Sequence, residues 1–466
     1  MSHPPLTCVV SISGIRGRIG HDLSPVQILA LAAAYGRTVA AGGTVVIGRD
    51  SRPTGAMLAQ AVSAGLRAVG CEVIDIGVVP TPTVPVMIAH LAAAGGIQIS
   101  ASHNTVEWNA LKLFNASGRN VDQSQLDRVL AAYRTPPADL WKDWSATGAA
   151  RERSEACQIH ADKVLAAVDV PLIQAAKLRV LIDSVNGSGA QLAPQLLAAL
   201  GCEVVPVYCR PDMIFPRDPE PTAANVTLTG ALVKAAGAAV GFVQDPDADR
   251  LAIIDDQGTY IGEEYSLVLC AAARLAAESA AGRRNLVACT NLSTSRMLED
   301  VATRFGAQVV RTKVGEAHVV DAMQAHHALI GGEGNGGIID PRVVSCRDSH
   351  IGMALVLELL AREKKSLSAV VASIPRYAMH KEKVAMDRAA VTAAIDTLRA
   401  HPLTKNAELV TLDGLKLIWK DRWVHVRASN TEPASRIISE APTAAEATTL
   451  AAQVREAVGA RVLGGH

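Results

Sequence analysis

The sequence predicts an α/β chain of three related mixed-sheet α/β domains and a smaller C-terminal α+β domain. Two observations predict it. The same strand–helix–strand plan recurs three times, each time on short runs of Val, Ile, Leu and Ala that end in polar residues. Past residue 372 the pattern changes to a hairpin and an Ala-rich helix.

In the first unit, Thr44 to Ile47 reads as a buried strand followed by Gly48-Arg49-Asp50-Ser51-Arg52, a helix, and a second strand from Gly70 to Ile74. Leu178 to Ile182 repeats the plan, with Asp183-Ser184 at its end and a strand at Gly201 to Val205 after the helix. Leu286 to Cys289 begins the third copy, which returns at Gly306 to Val310. Arg134 to about Ser154 mixes Pro, Trp and charge and reads as a linker. Asp255-Asp256-Gln257-Gly258 reads as a turn, and Ser373-Ile374-Pro375-Arg376 as a break. Leu415 to Trp419 and Trp423 to Arg427 then form a hairpin, and a helix starts near Ala444. The predicted domains are 1–150, 151–254, 255–371 and 372–466.

At 466 residues the chain is too long for one core, and with aromatics at 3% its cores are aliphatic. Formal net charge is zero, which argues against a nucleic-acid groove and leaves room for a local basic pocket. The eight cysteines form no CxxC pair, which predicts reduced thiols and a cytoplasmic protein. No signal-peptide pattern and no membrane-spanning apolar stretch is apparent.

Four segments carry chemistry. Gly96 to Ser100 reads as a strand feeding into Ala101-Ser102-His103-Asn104, at the edge of the sheet where α/β proteins bind ligands. Ser102 is a candidate to carry a phosphoryl group if a base, a metal or a positive field assists it; the same residues also suit a polar turn. Asp245, Asp247 and Asp249, after the strand Ala239 to Val243, place carboxylates at alternate positions for one hard cation such as Mg²⁺. A calcium loop would place its glycine at Arg250 and its last ligand at Asp256, and would follow a helix, so calcium is disfavoured. Arg250 is placed to pair with one of these carboxylates. Arg427 to Pro433, with Arg436 beyond, reads as a phosphate clamp or a charged turn. Gly331 to Gly337 reads as a flexible loop with Glu333 and Asn335 as polar hooks for sugar hydroxyls or an amine, or as a structural turn; it lacks a Walker lysine.

With these motifs in this order over nearly the whole chain, the sequence resembles the α-D-phosphohexomutase superfamily of phosphoglucomutases, phosphomannomutases and phosphoglucosamine mutases. The resemblance implies four domains around a central cleft and a phosphohexose mutase. Such an enzyme passes a phosphoryl group through a phosphoserine and a hexose 1,6-bisphosphate that is both intermediate and activator. It implies Ser102 as the phosphorylated serine, and Asp245, Asp247 and Asp249 as Mg²⁺ ligands completed by the Ser102 phosphate. Arg16, His103 and Arg250 lie around it, and Lys112 is a candidate acid/base or charge stabiliser. Glu333 and Asn335 correspond to the sugar loop; Arg427, Ser429, Asn430, Thr431 and Arg436 correspond to the substrate's phosphate loop.

Departures are visible. Ser100 and Thr105 flank the serine motif, Asn335 and Gly337 stand where the sugar loop often has serine and histidine, and Ala428 and Asn430 where proline and glycine are usual. The Gly-Glu-Gly-Asn-Gly-Gly form is similar to the archaeal-type branch. The expected substrate is glucosamine 6-phosphate, with glucose or mannose phosphate as the alternative. A serine-dependent sugar phosphatase or an inactive sugar-phosphate-binding protein ranks behind. The expected partner is a small phosphosugar, with neither nucleic acid nor membrane, and the expected state is a monomer or homodimer.

Overall fold

The computed structural model describes residues 5–386, 388–428 and 435–459. It divides into two compact units, one of Met1–Arg274 with Asn335–Val371 and one of Leu275–Gly334 with Ala372–His466.

The first unit holds two sheets. A seven-stranded sheet runs in the order Val9–Ser11, Gly14–Arg18, Trp108–Asn115, Gly95–Ile99, Val45–Arg49, Val73–Val78, Ala150–Glu152. The last four are parallel to one another, and Trp108–Asn115 is antiparallel to Gly95–Ile99. Every residue of Gly95–Ile99 is buried, as expected of a strand covered on both faces. The second sheet runs Leu251–Ile254, Val240–Gln244, Arg179–Asp183, Glu203–Val207, with only the first strand antiparallel. The helix Ser349–Glu363 belongs to this unit and is buried from Ser349 through Ala361, with the Asp348 side chain accepting from His350 N at its start.

The second unit also holds a parallel sheet, in which Val287–Asn291 lies between Gln308–Thr312 and Ile330–Glu333. Its antiparallel sheet runs Ala378–Val384, Ser435–Ala441, Trp423–Ala428, Leu415–Ile418, Glu408–Val410. Val424, Val426, Leu415, Leu417 and Ile437 form an apolar core with Leu398, Leu450 and Val454 of two helices. By the two-residue alternation of a strand, Trp423, His425 and Arg427 lie on the other face.

The repeated units, the C-terminal hairpin and the helix Ala444–Ala457 match the sequence expectation. Two expectations are corrected. The segment read as a linker contributes the strand Ala150–Glu152, paired in parallel with Val73–Val78. Its three residues are all exposed at the sheet edge, so it has no apolar period to reveal it. The segment read as a flexible loop is ordered: Ile330–Glu333 is a buried strand, and Gly336 O accepts a hydrogen bond from Leu251 N at 2.8 Å.

The helices Pro25–Thr38 and Gly55–Ala68 approach closely because Gly65 has no side chain. A Cβ there would stand 2.3 Å from the Leu29 carbonyl oxygen. Gly65→Ala is therefore expected to destabilise the protein by about 1–3 kcal/mol, read from urea unfolding, although alanine is the better helix former. A stabilised variant would show that this contact does not limit the packing.

Candidate active site

Strand Gly95–Ile99 delivers Ser102 to the end of the first sheet. Ser102 is 4% exposed and has a left-handed backbone (φ 50°), a conformation that costs a non-glycine residue on the order of 1–3 kcal/mol. Its surroundings hold it there. Arg52 Nη2 donates to Ser102 O at 2.9 Å and also to Asn104 O, while Arg52 pairs with Asp50. Both side chains of that pair are fully buried. Ser102 N donates to Ser100 Oγ at 3.0 Å. The Ser102 hydroxyl donates to Asp245 Oδ2 at 2.8 Å.

Asp245, Asp247 and Asp249 follow the buried strand Val240–Gln244 and are at most 1% exposed. Ala248 takes a left-handed turn (φ 53°), and one ligand oxygen from each carboxylate lies within 4.8 Å of the others. Asp245 is held well above the usual carboxylate range by burial and by Asp247 and Asp249 beside it. Burial also works to raise Asp247, but Lys112 and the Thr81 hydroxyl hold it below the usual range. Among the described residues, the buried Oδ1 atoms of Asp247 and Asp249 have no hydrogen-bond partner. Three converging carboxylates, two of them with an oxygen unsatisfied among the described residues, fit a divalent cation such as Mg²⁺. The strand before them is not the helix that a calcium loop needs.

Cations surround this trio. Lys112 Nζ donates to Asp247 and, at 3.1 Å, to Asp249 Oδ2. Burial would lower the Lys112 ammonium, but the two carboxylates outweigh it and raise its pKa, which suits a charge stabiliser better than a base. Arg250 N donates to Asp245 Oδ1 at 3.2 Å, and its Nε lies 4.0 Å from Asp249 Oδ1. Arg347 Nη2 donates to Asp249 Oδ2 at 2.8 Å. Arg16 stands opposite Ala110 in the sheet register and feels the charges of Asp247 and Asp249. Burial, with Arg250 and Arg16 nearby, pushes His103 down to about 3, so its ring is neutral at physiological pH.

A second buried cluster braces the metal loop from behind. Thr83 Oγ1 meets His160 Nδ1 at 2.9 Å, and His160 Nε2 meets Asp348 Oδ2 at 2.9 Å. Asp348 Oδ1 meets His350 Nδ1 at 3.1 Å, and Gln244, next to Asp245, reaches His350 Nε2 at 3.4 Å. Ser349 Oγ donates to Ala248 O at 2.7 Å. Ligand atoms of His160, Asp348 and His350 also lie close enough to hold a metal. Every ring nitrogen of the cluster has a hydrogen-bonding neighbour, so the three residues stand complete as a brace.

In the second unit, Glu333 is 6% exposed, and its Oε1 accepts from Asn291 Nδ2 at 2.8 Å and Gly315 N at 3.0 Å. Arg427 Nη1 donates to Ala428 O at 3.0 Å, while its buried Nε has no hydrogen-bond partner among the described residues. Arg436 stands directly opposite Arg427 in the antiparallel register and is exposed. Ser429, Asn430 and Thr431 lie outside the described residues. In the first unit, Asn335 Oδ1 accepts from Gly337 N at 3.2 Å and so closes its own turn.

Residues 10–138, 158–258 and 263–377 match the phosphoglucomutase/phosphomannomutase α/β/α domains I, II and III, and residues 380–457 match the C-terminal domain of the same family. A phosphoglucomutase/phosphomannomutase from Thermococcus kodakarensis is 37% identical, over 92% of this chain and 93% of its own length. The chain belongs to the phosphoglucomutase/phosphomannomutase family. Within the α-D-phosphohexomutase superfamily it is a mutase that works through a phosphoserine and a bisphosphate. A probable phosphoglucosamine mutase from Methanopyrus kandleri is 34% identical over 92% of this chain and 93% of its own. In fold, the phosphohexomutase is similar to a phosphoglucomutase/phosphomannomutase family protein from Burkholderia thailandensis, with a TM-score of 0.82 at 24% identity over 98% of both chains.

Some residues of the phosphohexomutase site escaped the sequence reading. Arg52 and Asp50 end a predicted strand in the same way that Ser102 ends its own, and that parallel was the available signal. Thr81, Arg347 and the His160–Asp348–His350 brace lie in no motif and are assembled only by tertiary contact.

His425 lies in the buried polar seam of the second unit, with Nδ1 2.9 Å from Ser293 Oγ and Nε2 against Asp413 O. Burial pushes it down to about 4, with Lys416 and Arg427 adding to the effect against the Asp413 carbonyl. The folded protein thus holds His425 neutral where the unfolded chain, at the ordinary value near 6.5, takes a proton. Its stabilisation is present above about pH 6.5 and is lost as pH falls toward 4. Relative to His425→Gln, wild type is expected to lose up to about 3 kcal/mol over that window in urea unfolding. A pH-independent difference between the two proteins would remove His425 as the titrating group.

Proposed function

We propose that this enzyme interconverts the 1- and 6-phosphates of glucose and mannose, with the phosphoryl group carried on Ser102. The observation that carries the reading is the Ser102 hydroxyl on Asp245, inside a buried carboxylate trio ringed by Lys112, Arg250, Arg347 and Arg16. The Thermococcus relative, named for both sugars, supports the substrate pair. So does Glu333: held by Asn291 and Gly315, it is a fixed acceptor for hydroxyls that glucose and mannose share, since the two differ only at C2. A second reading, glucosamine phosphate, is favoured by the name of the Methanopyrus relative and by the match of a carboxylate to an ammonium group.

In the proposed reaction a sugar hydroxyl oxygen forms the new P–O bond as the P–Oγ bond of phosphorylated Ser102 breaks, giving the hexose 1,6-bisphosphate. In net the hydroxyl's proton passes to Ser102 Oγ, the leaving oxygen, which becomes the hydroxyl that donates to Asp245. In the second half-reaction, Ser102 Oγ takes back the phosphoryl group from the other sugar oxygen as that P–O bond breaks, and the Ser102 proton passes in net to that oxygen. Asp245, Asp247 and Asp249 would hold Mg²⁺, which neutralises charge on the transferring group when bound. Lys112 and Arg250 add fixed positive charge at the same place. Arg16 shares that role, and neutral His103 shapes the serine loop without adding charge. Arg52 and Asp50 hold Ser102 aimed at the carboxylates. Arg427 takes the substrate's other phosphate, for which a buried guanidinium is well suited. Asn335 orders the turn beside the carboxylates.

The test is ³¹P NMR of the Mg²⁺-loaded protein primed with glucose 1,6-bisphosphate. Glucose 1-phosphate and mannose 1-phosphate are expected to convert to their 6-phosphates faster than glucosamine 6-phosphate converts to its 1-phosphate. The reverse order would favour the second reading, and growth of inorganic phosphate alone would make the protein a phosphatase. Ser102→Ala is expected to lower turnover by more than about a thousandfold with the fold intact by circular dichroism. Turnover near wild type would sink the covalent serine. Arg427→Ala is expected to raise KM about 10–100-fold, the loss of a charge-assisted contact. An unchanged KM removes Arg427 from the clamp.

A further inference from the structure

We infer that Arg347 is a further residue that contacts the phosphoryl group carried by Ser102, and that Gly337 is glycine to make room for it. The inference rests on the phosphoserine reading above.

Arg347 is anchored rather than loose. It directly precedes Asp348, whose N–H donates to Ile338 O at 2.8 Å and whose fully buried carboxylate is tied to His160 and His350. The Arg347 side chain is only 13% exposed and ends on Asp249 Oδ2 at 2.8 Å. Its charge is felt by Lys112, Arg16 and His103, so it stands within the same cationic ring.

Room for this path exists because residue 337 has no side chain. A Cβ on Gly337 would lie 2.3 Å from Arg347 Cδ and 2.9 Å from its Cγ. The Gly337 backbone is not in the left-handed region, so space, not conformation, is what its lack of a side chain provides. The stem of Arg347 fills the volume that any other residue at 337 would occupy.

Asp249 Oδ2 serves two cations at once, Lys112 at 3.1 Å and Arg347 at 2.8 Å. Asp245, Asp247 and Asp249, in holding a divalent ion, would offer less of Asp249 Oδ2 to both cations. The strongest anion left in the ring is then the phosphoryl group on Ser102, whose paired oxygens suit a guanidinium fork. Arg347 is thus a counter-ion for Asp249 and, in the phosphorylated enzyme, a phosphoryl contact.

The experiment compares Arg347→Met, Arg347→Lys, Gly337→Ala and the double variant Gly337→Ala/Arg347→Met in the full-length protein. Turnover on the best hexose phosphate is read together with Mn²⁺ affinity of the unphosphorylated protein by calorimetry. Arg347→Met is expected to lower kcat about 10²–10³-fold, as for loss of one charge-stabilising donor, with KM changed far less. Arg347→Lys, which keeps the charge without the fork, is expected to recover only part of that loss. Mn²⁺ is expected to bind the Met variant several-fold more tightly, because a competitor for Asp249 is gone; a merely structural ion pair would weaken binding when broken. Gly337→Ala is expected to lower kcat alone and to add nothing in the Arg347→Met background.

Wild-type kcat in Arg347→Met, weaker Mn²⁺ binding, or independent effects of the two positions would each overturn the inference. If Arg347→Met does not fold, Arg347→Lys and Gly337→Ala decide it: wild-type kcat in both overturns it. Failure of the phosphoserine reading is distinguishable, since wild type itself would then convert no hexose phosphate and Ser102→Ala would match it.

Discussion

Three carboxylates buried within 4.8 Å of one another repel, and no packing of apolar side chains offsets that repulsion. Positive charge has to come to Asp245, Asp247 and Asp249, and much of the first unit is arranged to bring it. Lys112 comes from a strand of the seven-stranded sheet, Arg347 from the residues before the helix Ser349–Glu363, and Arg250 from the loop itself. Thr81 joins from the first sheet through both its hydroxyl and its N–H to Asp247. The first sheet, the second sheet and the buried helix therefore meet where the carboxylates are. A site of this kind suits a divalent cation, because the carboxylates that would hold it are already gathered.

Precision at Ser102 comes from buried polar groups that touch no substrate in the proposed reaction. The left-handed serine is held by Arg52, itself held by Asp50, and both are sealed from water. Behind the metal loop, the chain from Thr83 through His160, Asp348 and His350 to Gln244 fixes the residue next to Asp245. Each link satisfies the next, which is the condition under which a buried polar network rigidifies a fold.

The second unit follows a different logic. One face of its antiparallel sheet is aliphatic core; the other carries Trp423, His425 and Arg427 in alternation. Lys416 Nζ lies 3.8 Å from the centre of the Trp423 ring and donates to Leu292 O, while Trp423 Nε1 donates to Glu440 at 2.6 Å. These contacts seat the C-terminal sheet on the Leu292–Arg296 turn, and among the described residues the Arg427 guanidinium donates to the Ala428 carbonyl.

Much of this was legible in the sequence. The fold class follows from strand runs of fixed length, because a parallel strand buried on both faces reads as a short aliphatic block. Ser102, the three Asp and the arginine loop were visible because their chemistry needs neighbours close in sequence. The exposed edge strand Ala150–Glu152 had no such signal, and the ordered strand Ile330–Glu333 was hidden by its glycines. Arg347 and Lys112 both end on Asp249, yet they come from positions 98 and 137 residues away from it. Sequence alone thus determined the fold class and the candidate groups for the chemistry. Only the tertiary structure decided which cations answer the carboxylates, because charge acts through space and its partners need share no segment of chain.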